Sequence, residues 1–337
     1  MSLSSTLLIM ANNCKFADIL MRMLVTEDSD VCISPEGICD MLRMIKIGSR
    51  GTTDDQLYDL LDNVNKSNIT SKFSSTKMYM SNTLPAPVMS DIRQLDFSKK
   101  AMALGEINNW INQKTKGNIS TIVGNLPDNT LLAVVNVVYF QDEWLHTFNT
   151  VTDEPFFKHN GSQVIAPMMC VDGYFALKQD NVHTICIPYK NSCSMYVMLA
   201  SSFDIRLDQF DIWSKNMEMK HVRVKLPAFK INSDFDLSSS LHHLDLFDKG
   251  KCDLSGFTEE KSVRMCVSVA RHMASIDVSR TSTEAVAATI MVSSTFSMKR
   301  DPEIEFIANR PFTYVIVDNK RQYILFAGQF SGCAYNN

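Results

Sequence analysis

The chain of 337 residues lacks the long apolar segment that marks a membrane-spanning protein. No apolar run approaches the roughly 18 residues that a helix needs to cross a bilayer. A strong charge of either sign is also missing, because the net charge is −4 and the Lys and Arg residues are scattered. We therefore expect neither a membrane nor a nucleic acid as a partner.

Recognisable catalytic and metal-binding motifs are missing as well. The sequence contains no GxSxG or HExxH motif, and its nine cysteines form no CxxC pair and no Cys/His array. We therefore expect no enzyme, no metal and no cofactor. Ser, His and Asp all occur in the chain, so a hydrolase remains an alternative that detectable ester turnover would support.

The cysteines favour a reducing compartment. Their number is odd and most lie in apolar runs, which is typical of buried free thiols rather than of disulfides. The apolar stretch 7–11 is shorter than the core of a signal peptide, and no basic residue precedes it. Its spacing favours an amphipathic helix instead, and we expect a cytoplasmic protein.

Helical patterns dominate the first third of the chain. Residues 37–47 are apolar at helical spacing and stop at Gly48. Thr52 or Thr53 is positioned to cap a second helix, and residues 107–116 form a third that Gly117 closes.

Strand patterns dominate the rest. Residues 131–140 form a nearly continuous apolar run, as in a strand buried on both faces. Further predicted strands are 184–188, 195–200, 221–226, 263–269, 312–317 and 323–328. Helices first and strands later favour an α+β fold.

One segment, 279–302, has an unusual composition. It is small, polar and rich in Ala, Ser and Thr, and it joins two apolar strands over about 20 residues, which is long for a loop in a compact domain. As a strand it would present small side chains on one face near its beginning. From composition alone a solvated connector is also consistent.

Seven segments in order resemble the serpin family. They include an early strand and helix with a Ser-Pro step, a central strand followed by Trp144, and a C-terminal signature; their ranges are 31–57, 109–132, 136–148, 226–231, 253–256, 306–316 and 324–330. The resemblance implies a single serpin domain, 1–337. Its α+β fold would have a large, mostly antiparallel central sheet, further sheets, about eight helices and an exposed reactive-centre loop at about 280–302.

The resemblance also implies site residues. Aligning His272 with the family's histidine before the loop places the bait bond between Phe296 and Ser297. The hinge then comprises Arg280, Ser282, Thr283, Glu284, Ala285, Val286, Ala287 and Ala288, and the sheet-opening region comprises Ser34, Asn136, Trp144 and His272.

Departures from the family pattern fall at the hinge. Arg280 and Ser282 replace a usual acidic residue and a usual glycine, and Ala228 stands where a lysine often pairs with that acid. Loss of both partners is less costly than keeping one unpaired charge. We therefore predict a working hinge whose top is held more loosely. Gly37 also replaces a frequent serine.

The function implied is that of a suicide substrate for a protease. Phe296 suits the deep apolar pocket of a chymotrypsin-like or cathepsin-G-like serine protease. A cysteine protease is a second target class, and Lys299 or Arg300 offers a secondary trypsin-like cut. We expect a monomer similar to the intracellular serpins of poxviruses, and host cytoplasm if the protein is viral. A non-inhibitory serpin that binds a partner remains the main alternative.

Overall fold

The computed structural model describes residues 3–26, 29–64, 72–119, 124–200, 205–260, 262, 265–280, 302 and 304–335, and no side chains of 3–11 and 63–64. Within these ranges there are six α-helices and four single turns of 3₁₀-helix, against the about eight helices expected. The helices are α1 (Leu3–Leu24), α2 (Pro35–Gly48), α3 (Gly51–Val64), α4 (Lys100–Lys114), α5 (Phe210–Ser214) and α6 (Leu237–Ser240).

Fourteen strands form two sheets in the described ranges. They are β1 (Val31–Ile33), β2 (Ser74–Ser81), β3 (Arg93–Leu95), β4 (Leu132–Phe140), β5 (Thr150–Phe157), β6 (Gln163–Gln179), β7 (Val182–Pro188), β8 (Cys193–Ala200), β9 (Glu218–Pro227), β10 (Phe229–Asp236), β11 (Val269–Val278), β12 (Ile304–Ile307), β13 (Phe312–Asp318) and β14 (Tyr323–Phe330).

The larger sheet has nine strands in the order β1-β14-β13-β8-β7-β6-β9-β12, with β5 beside β6. The smaller sheet has the order β10-β11-β4-β2-β3. It is mixed, because β11 pairs with β4, and β2 with β3, in parallel, whereas its other two pairs are antiparallel. The architecture is therefore α+β, as predicted.

Strand β4 is buried on both faces, which explains its unbroken apolar sequence. On one face Ala133, Val135 and Val137 pack in a cluster with Ile107 and Ile111 of α4. On the other face its side chains join the clusters that contain α2 and the nine-stranded sheet. The five-stranded sheet is thus a layer between α4 and the rest of the core.

Helix α2 begins at a well-formed cap. Ser34 has extended backbone geometry, its hydroxyl accepts a hydrogen bond from the Gly37 N–H, and Pro35 occupies the first helical position. This cap fixes Ser34 at the point where α2 meets β4 and β14, both of which the helix contacts.

Most predicted elements are present, with shifted ends. The run at 131–140 is β4, and the helix predicted for 37–47 is α2. The strand predicted for 263–269 is wrong, because β11 begins only at Val269. Buried Met265, Cys266 and Val267 belong to irregular backbone, where the Val267 N–H bonds to the Leu246 carbonyl outside any sheet.

Two further observations concern the cysteines and the apolarity of the helices. The nine cysteines are all free, and six of them are buried. Among the described helices, none combines the length and apolarity that crossing a membrane requires.

Candidate functional site

The candidate site is the boundary between β4 and β11, which we call the seam. The two strands pair in parallel from Ala133 with Val269 to Phe140 with Ile276. The chain then continues past Val278 into the small-residue segment, which returns to the sheet system at Ile304, where β12 pairs with β9. The loop therefore leaves from one of the two strands that border the seam.

A buried hydrogen-bond network crosses the middle of the seam. The Ser34 N–H donates to Nε2 of His272 at 3.0 Å, and Nδ1 of His272 lies 2.8 Å from Oδ1 of Asn136. Asn136 Nδ2 donates onward to Ser74 Oγ at 2.9 Å and Thr76 Oγ1 at 2.8 Å on β2. The network joins α2 to β11, β4 and β2.

The network fixes the state of His272. A backbone N–H only donates, so Nε2 must carry a lone pair and the ring proton must lie on Nδ1, where it donates to Asn136. Complete burial lowers the pKa of His272 to about 3, so the ring is neutral. A second proton on Nε2 would oppose the Ser34 N–H.

Gly37 allows α2 to lie close to this network. A Cβ atom at this position would stand 2.6 Å from both Asn136 Oδ1 and Val138 Cγ2, and 3.3 Å from His272 Cε1. A serine at this position, as is frequent in the family that the sequence resembles, would not fit without movement. The Asn136 amide thus occupies the space that such a side chain would take.

The upper end of the seam is the end at which the loop departs. Trp144 is buried, stacks on Tyr189 with 4.1 Å between ring centroids, and meets Phe148 edge-on at 5.6 Å. Its Nε1–H donates to the Ser279 carbonyl at 2.9 Å. Nε of Arg280 donates to the Phe148 carbonyl at 3.0 Å. These two hydrogen bonds connect Ser279 and Arg280, which we call the root of the loop, to the segment that follows β4.

Ala228, which stands where the resemblance implied a lysine, makes two backbone hydrogen bonds. The backbone carbonyl of Ala228 accepts a hydrogen bond from the Tyr335 hydroxyl, and its N–H donates to the Pro167 carbonyl. The side chain of Tyr335 packs edge-on against Phe330, 5.8 Å away between centroids. The C-terminal segment thus contacts the junction of β9 and β10 where the sequence pattern implied a charge.

Residues 79–333 match the family model described as serpin, serine protease inhibitor.

The chain belongs to the serpin family.

Its relatives include human Serpin B8, 28% identical over 95% of this chain and 98% of that protein. A leukocyte elastase inhibitor A from rat is 30% identical over 89% of this chain and 92% of its own length. A fowlpox virus protein described as an uncharacterized serpin-like protein is 28% identical over 93% and 98%. The fold agrees with the 2.8 Å structure of a tumour suppressing serpin, with a TM-score of 0.80 at 22% identity over 96% of this chain and 99% of that one.

The serpin fold brings together three of the residues expected at the sheet-opening region. Ser34, Asn136 and His272 are in direct contact, whereas Trp144 lies at the upper end with Arg280. The remaining hinge residues, Ser282, Thr283, Glu284, Ala285, Val286, Ala287 and Ala288, lie outside the described residues, as do Phe296 and Ser297.

Sequence reasoning missed several residues of this site. Ser74 and Thr76 carry the signal of small hydroxyl residues two apart on a strand, but only the pairing of β2 with β4 places them beside Asn136. The Phe148 carbonyl accepts from the Arg280 side chain, and the Tyr335 hydroxyl donates to the Ala228 carbonyl, each over a long distance in sequence. No local pattern marks such contacts.

The Ser–His contact of this serpin does not form a nucleophile and base. His272 bonds to the backbone N–H of Ser34, while the Ser34 hydroxyl donates to the Leu325 carbonyl at 2.7 Å. Both side chains are buried. In the part of the chain that the structure describes, no cluster of three His, Cys, Asp or Glu side chains is arranged to hold a metal. The network ties strands to a helix.

Proposed function

We propose that this serpin is a suicide-substrate inhibitor of a chymotrypsin-like serine protease. The observation that carries the proposal is the parallel pairing of β4 with β11, the strand that leads into the loop. A segment that folds back from β11 into the seam runs antiparallel to both neighbours. One parallel pairing is then replaced by two antiparallel pairings, which are slightly more stable per residue.

The proposed reaction begins as ordinary proteolysis. The target's serine oxygen attacks the carbonyl carbon of Phe296, the C–N bond to Ser297 breaks, and the Ser297 nitrogen leaves as a protonated amine. The product is an ester between Phe296 and the protease. Insertion of the freed loop into the seam carries the attached enzyme away and distorts it before water cleaves the ester, a use of strand addition and stored strain.

The composition of the proposed hinge supports insertion. Thr283, Ala285 and Ala287 alternate along the segment with Glu284 and Val286, so one face of the inserted strand is small near its beginning. The seam that receives this face has α4 on one side and the main core on the other. Small side chains enter such a layer with little displacement of packed neighbours.

Phe296 sets the proposed target class. A bulky aromatic side chain fits the apolar slot of chymotrypsin-like enzymes, including those of the cathepsin G type, better than the small pocket of an elastase. The proposed target class therefore differs from the elastase that the name of the rat relative specifies. A cysteine protease is the second target class, and Lys299 or Arg300 offers a trypsin-like cut.

The proposed setting is the cytoplasm. Nine free cysteines suit a reducing compartment, and similarity to a fowlpox virus protein supports a viral serpin that acts on host proteases of apoptosis or inflammation. In this setting the whole chain acts as one serpin domain and as a monomer, without a cofactor.

The competing function is a non-inhibitory serpin that binds a partner or has a chaperone-like role. The hydrogen bond from Arg280 to Phe148, which holds the root of the loop, is the observation in its favour. In that case a protease cuts the loop and leaves unharmed.

Incubation with chymotrypsin or cathepsin G, followed by a denaturing gel, separates the two functions. Inhibition predicts a band at the summed mass of protease and cut chain, together with a released fragment that begins at Ser297. Phe296→Asp should abolish this band, whereas Lys299→Ala should keep it. Simple clipping, with full protease activity retained, would establish the non-inhibitory alternative.

A further inference from the structure

The root of the loop carries a bond that the family pattern does not supply. The acidic residue expected at position 280 is an arginine, and the lysine expected at 228 is an alanine. We propose that Arg280 is a positioning residue that, through the Phe148 carbonyl, holds the upper end of the seam closed until the loop is cut. Its part in inhibition rests on the proposed function, but its hold on the uncut chain does not.

The Arg280 bond crosses the seam. Arg280 lies two residues past the end of β11, and Phe148 lies in the segment between β4 and β5. Neighbouring strands stand about 4.8 Å apart, so one inserted strand separates β4 from β11 by roughly twice that distance. We expect the 3.0 Å bond from Arg280 Nε to the Phe148 carbonyl to break when the two sides separate by this distance.

The acceptor side of the bond is rigid. Phe148 is completely buried, and its ring packs against Trp144, which in turn stacks on Tyr189. Trp144 adds the second bond across the seam, to the Ser279 carbonyl. Neither ring is free to follow β11 outward, so opening the seam must break both bonds or displace packed aromatic side chains.

Arginine suits this position on chemical grounds. Its guanidinium is always charged and only donates, so it makes a charge-assisted bond to a carbonyl oxygen. A carboxylate at 280 would instead face the lone pairs of the Phe148 carbonyl. Ala228 offers no cation, and its own carbonyl already accepts from Tyr335. Charge reversal at 280 should therefore open the seam more than simple truncation.

Hydrogen–deuterium exchange of the uncut protein tests the hold directly. We expect Arg280→Ala to accelerate exchange at 141–149 and 276–280 by about three- to tenfold, as loss of one hydrogen bond predicts. Arg280→Glu should accelerate it further, and Arg280→Lys should restore most of the protection. Arg310→Ala, which removes another exposed arginine, should leave these peptides unchanged.

The urea midpoint of the same variants separates positioning from general stability. A local hold predicts altered exchange at the upper seam with nearly unchanged global unfolding. Equal exchange in all Arg280 variants would overturn the proposal, and so would a uniform acceleration over the whole chain that follows the midpoint.

The inhibitory part is read separately, from the rate at which protease complexes form. Arg280→Ala should form them faster than the unmodified chain, with the Lys variant in between. If complexes form at one rate in every variant, the positioning role fails while inhibition stands. If no complex forms in any variant but local exchange still changes, inhibition fails while the hold on the uncut chain stands.

Discussion

At the scale of single residues, the site depends on groups that have one acceptable chemical state. His272 accepts from the Ser34 N–H and donates to Asn136, so only the neutral ring with its proton on Nδ1 fits. Position 37 is occupied by glycine, which has no Cβ atom, and the Asn136 and Val138 side chains fill the space where a Cβ atom would lie. We therefore expect a change at either residue to lower the free energy of unfolding.

The pKa of His272 predicts a specific pH dependence. Burial lowers it to about 3 from an unfolded value near 6.5, so between these values the unfolded chain binds one more proton. The stability that His272 contributes is therefore present above pH 6.5 and is lost as the pH falls towards 3. The slope is about 1.4 kcal/mol per pH unit in that range.

His272→Gln isolates this effect, because glutamine can accept and donate at similar places but does not titrate. We expect the stability advantage of the unmodified chain over the variant to shrink as urea unfolding is measured from pH 7 to 4. Burial raises the pKa of Glu36 despite the nearby Arg321, an effect that both proteins share. A constant difference across this pH range would rule out the assigned state, and exposed His243→Gln serves as control.

Gly37→Ala should destabilise the fold. The added methyl meets Asn136 Oδ1 and Val138 Cγ2 at 2.6 Å, and such overpacking costs about 1–3 kcal/mol, partly offset by the better helix propensity of alanine. Gly105→Ala in α4 is the matched control, since nothing lies within 4 Å of its added Cβ, and it should stabilise by about 0.5–1 kcal/mol. Equal effects of the two changes on urea unfolding would contradict the close packing of α2.

At the scale of elements, the proposed insertion of the loop depends on which of its side chains face into the seam. The alternation of side chains along a strand gives the proposed hinge an inward and an outward face. Arginine at Ala285 or Ala287, on the inward face, should block insertion and turn the inhibitor into a substrate. Arginine at Glu284 or Ala288, on the outward face, should leave most complexes intact on a denaturing gel. Equal loss at both faces would contradict the assigned register.

How far the elements could be predicted depends on where their contacts lie. Strand β4 could be predicted from the sequence because burial on both faces requires an unbroken run of apolar residues. The run at 263–269 has a similar apolar signature, but its described residues 265–268 are irregular, and the Val267 N–H bonds to the Leu246 carbonyl instead of to a neighbouring strand. The parallel pairing of β4 with β11, and the hydrogen bond from Arg280 to Phe148, join residues more than 130 positions apart. Such contacts leave no periodic trace in one sequence.

At the scale of the whole molecule, the proposed mechanism requires a native sheet that is one strand short of its most stable arrangement. Among the described strands, two parallel boundaries adjoin the loop: β4 with β11 in the five-stranded sheet, before the loop, and β9 with β12 in the nine-stranded sheet, after it. The proposed insertion takes place at the boundary between β4 and β11. Completion of that boundary should raise stability without help from any partner. The energy released is what the inhibitor would use against its target.

Thermal unfolding after cleavage tests this claim most directly. The chain cut between Phe296 and Ser297, with both fragments retained, is compared with the intact chain, and each kcal/mol gained corresponds to roughly 2 °C. Insertion predicts a clearly higher unfolding temperature for the cut protein, and no such rise when Ala285→Arg is cut in the same way. An unchanged or lower temperature for the cut, unmodified chain would contradict the account.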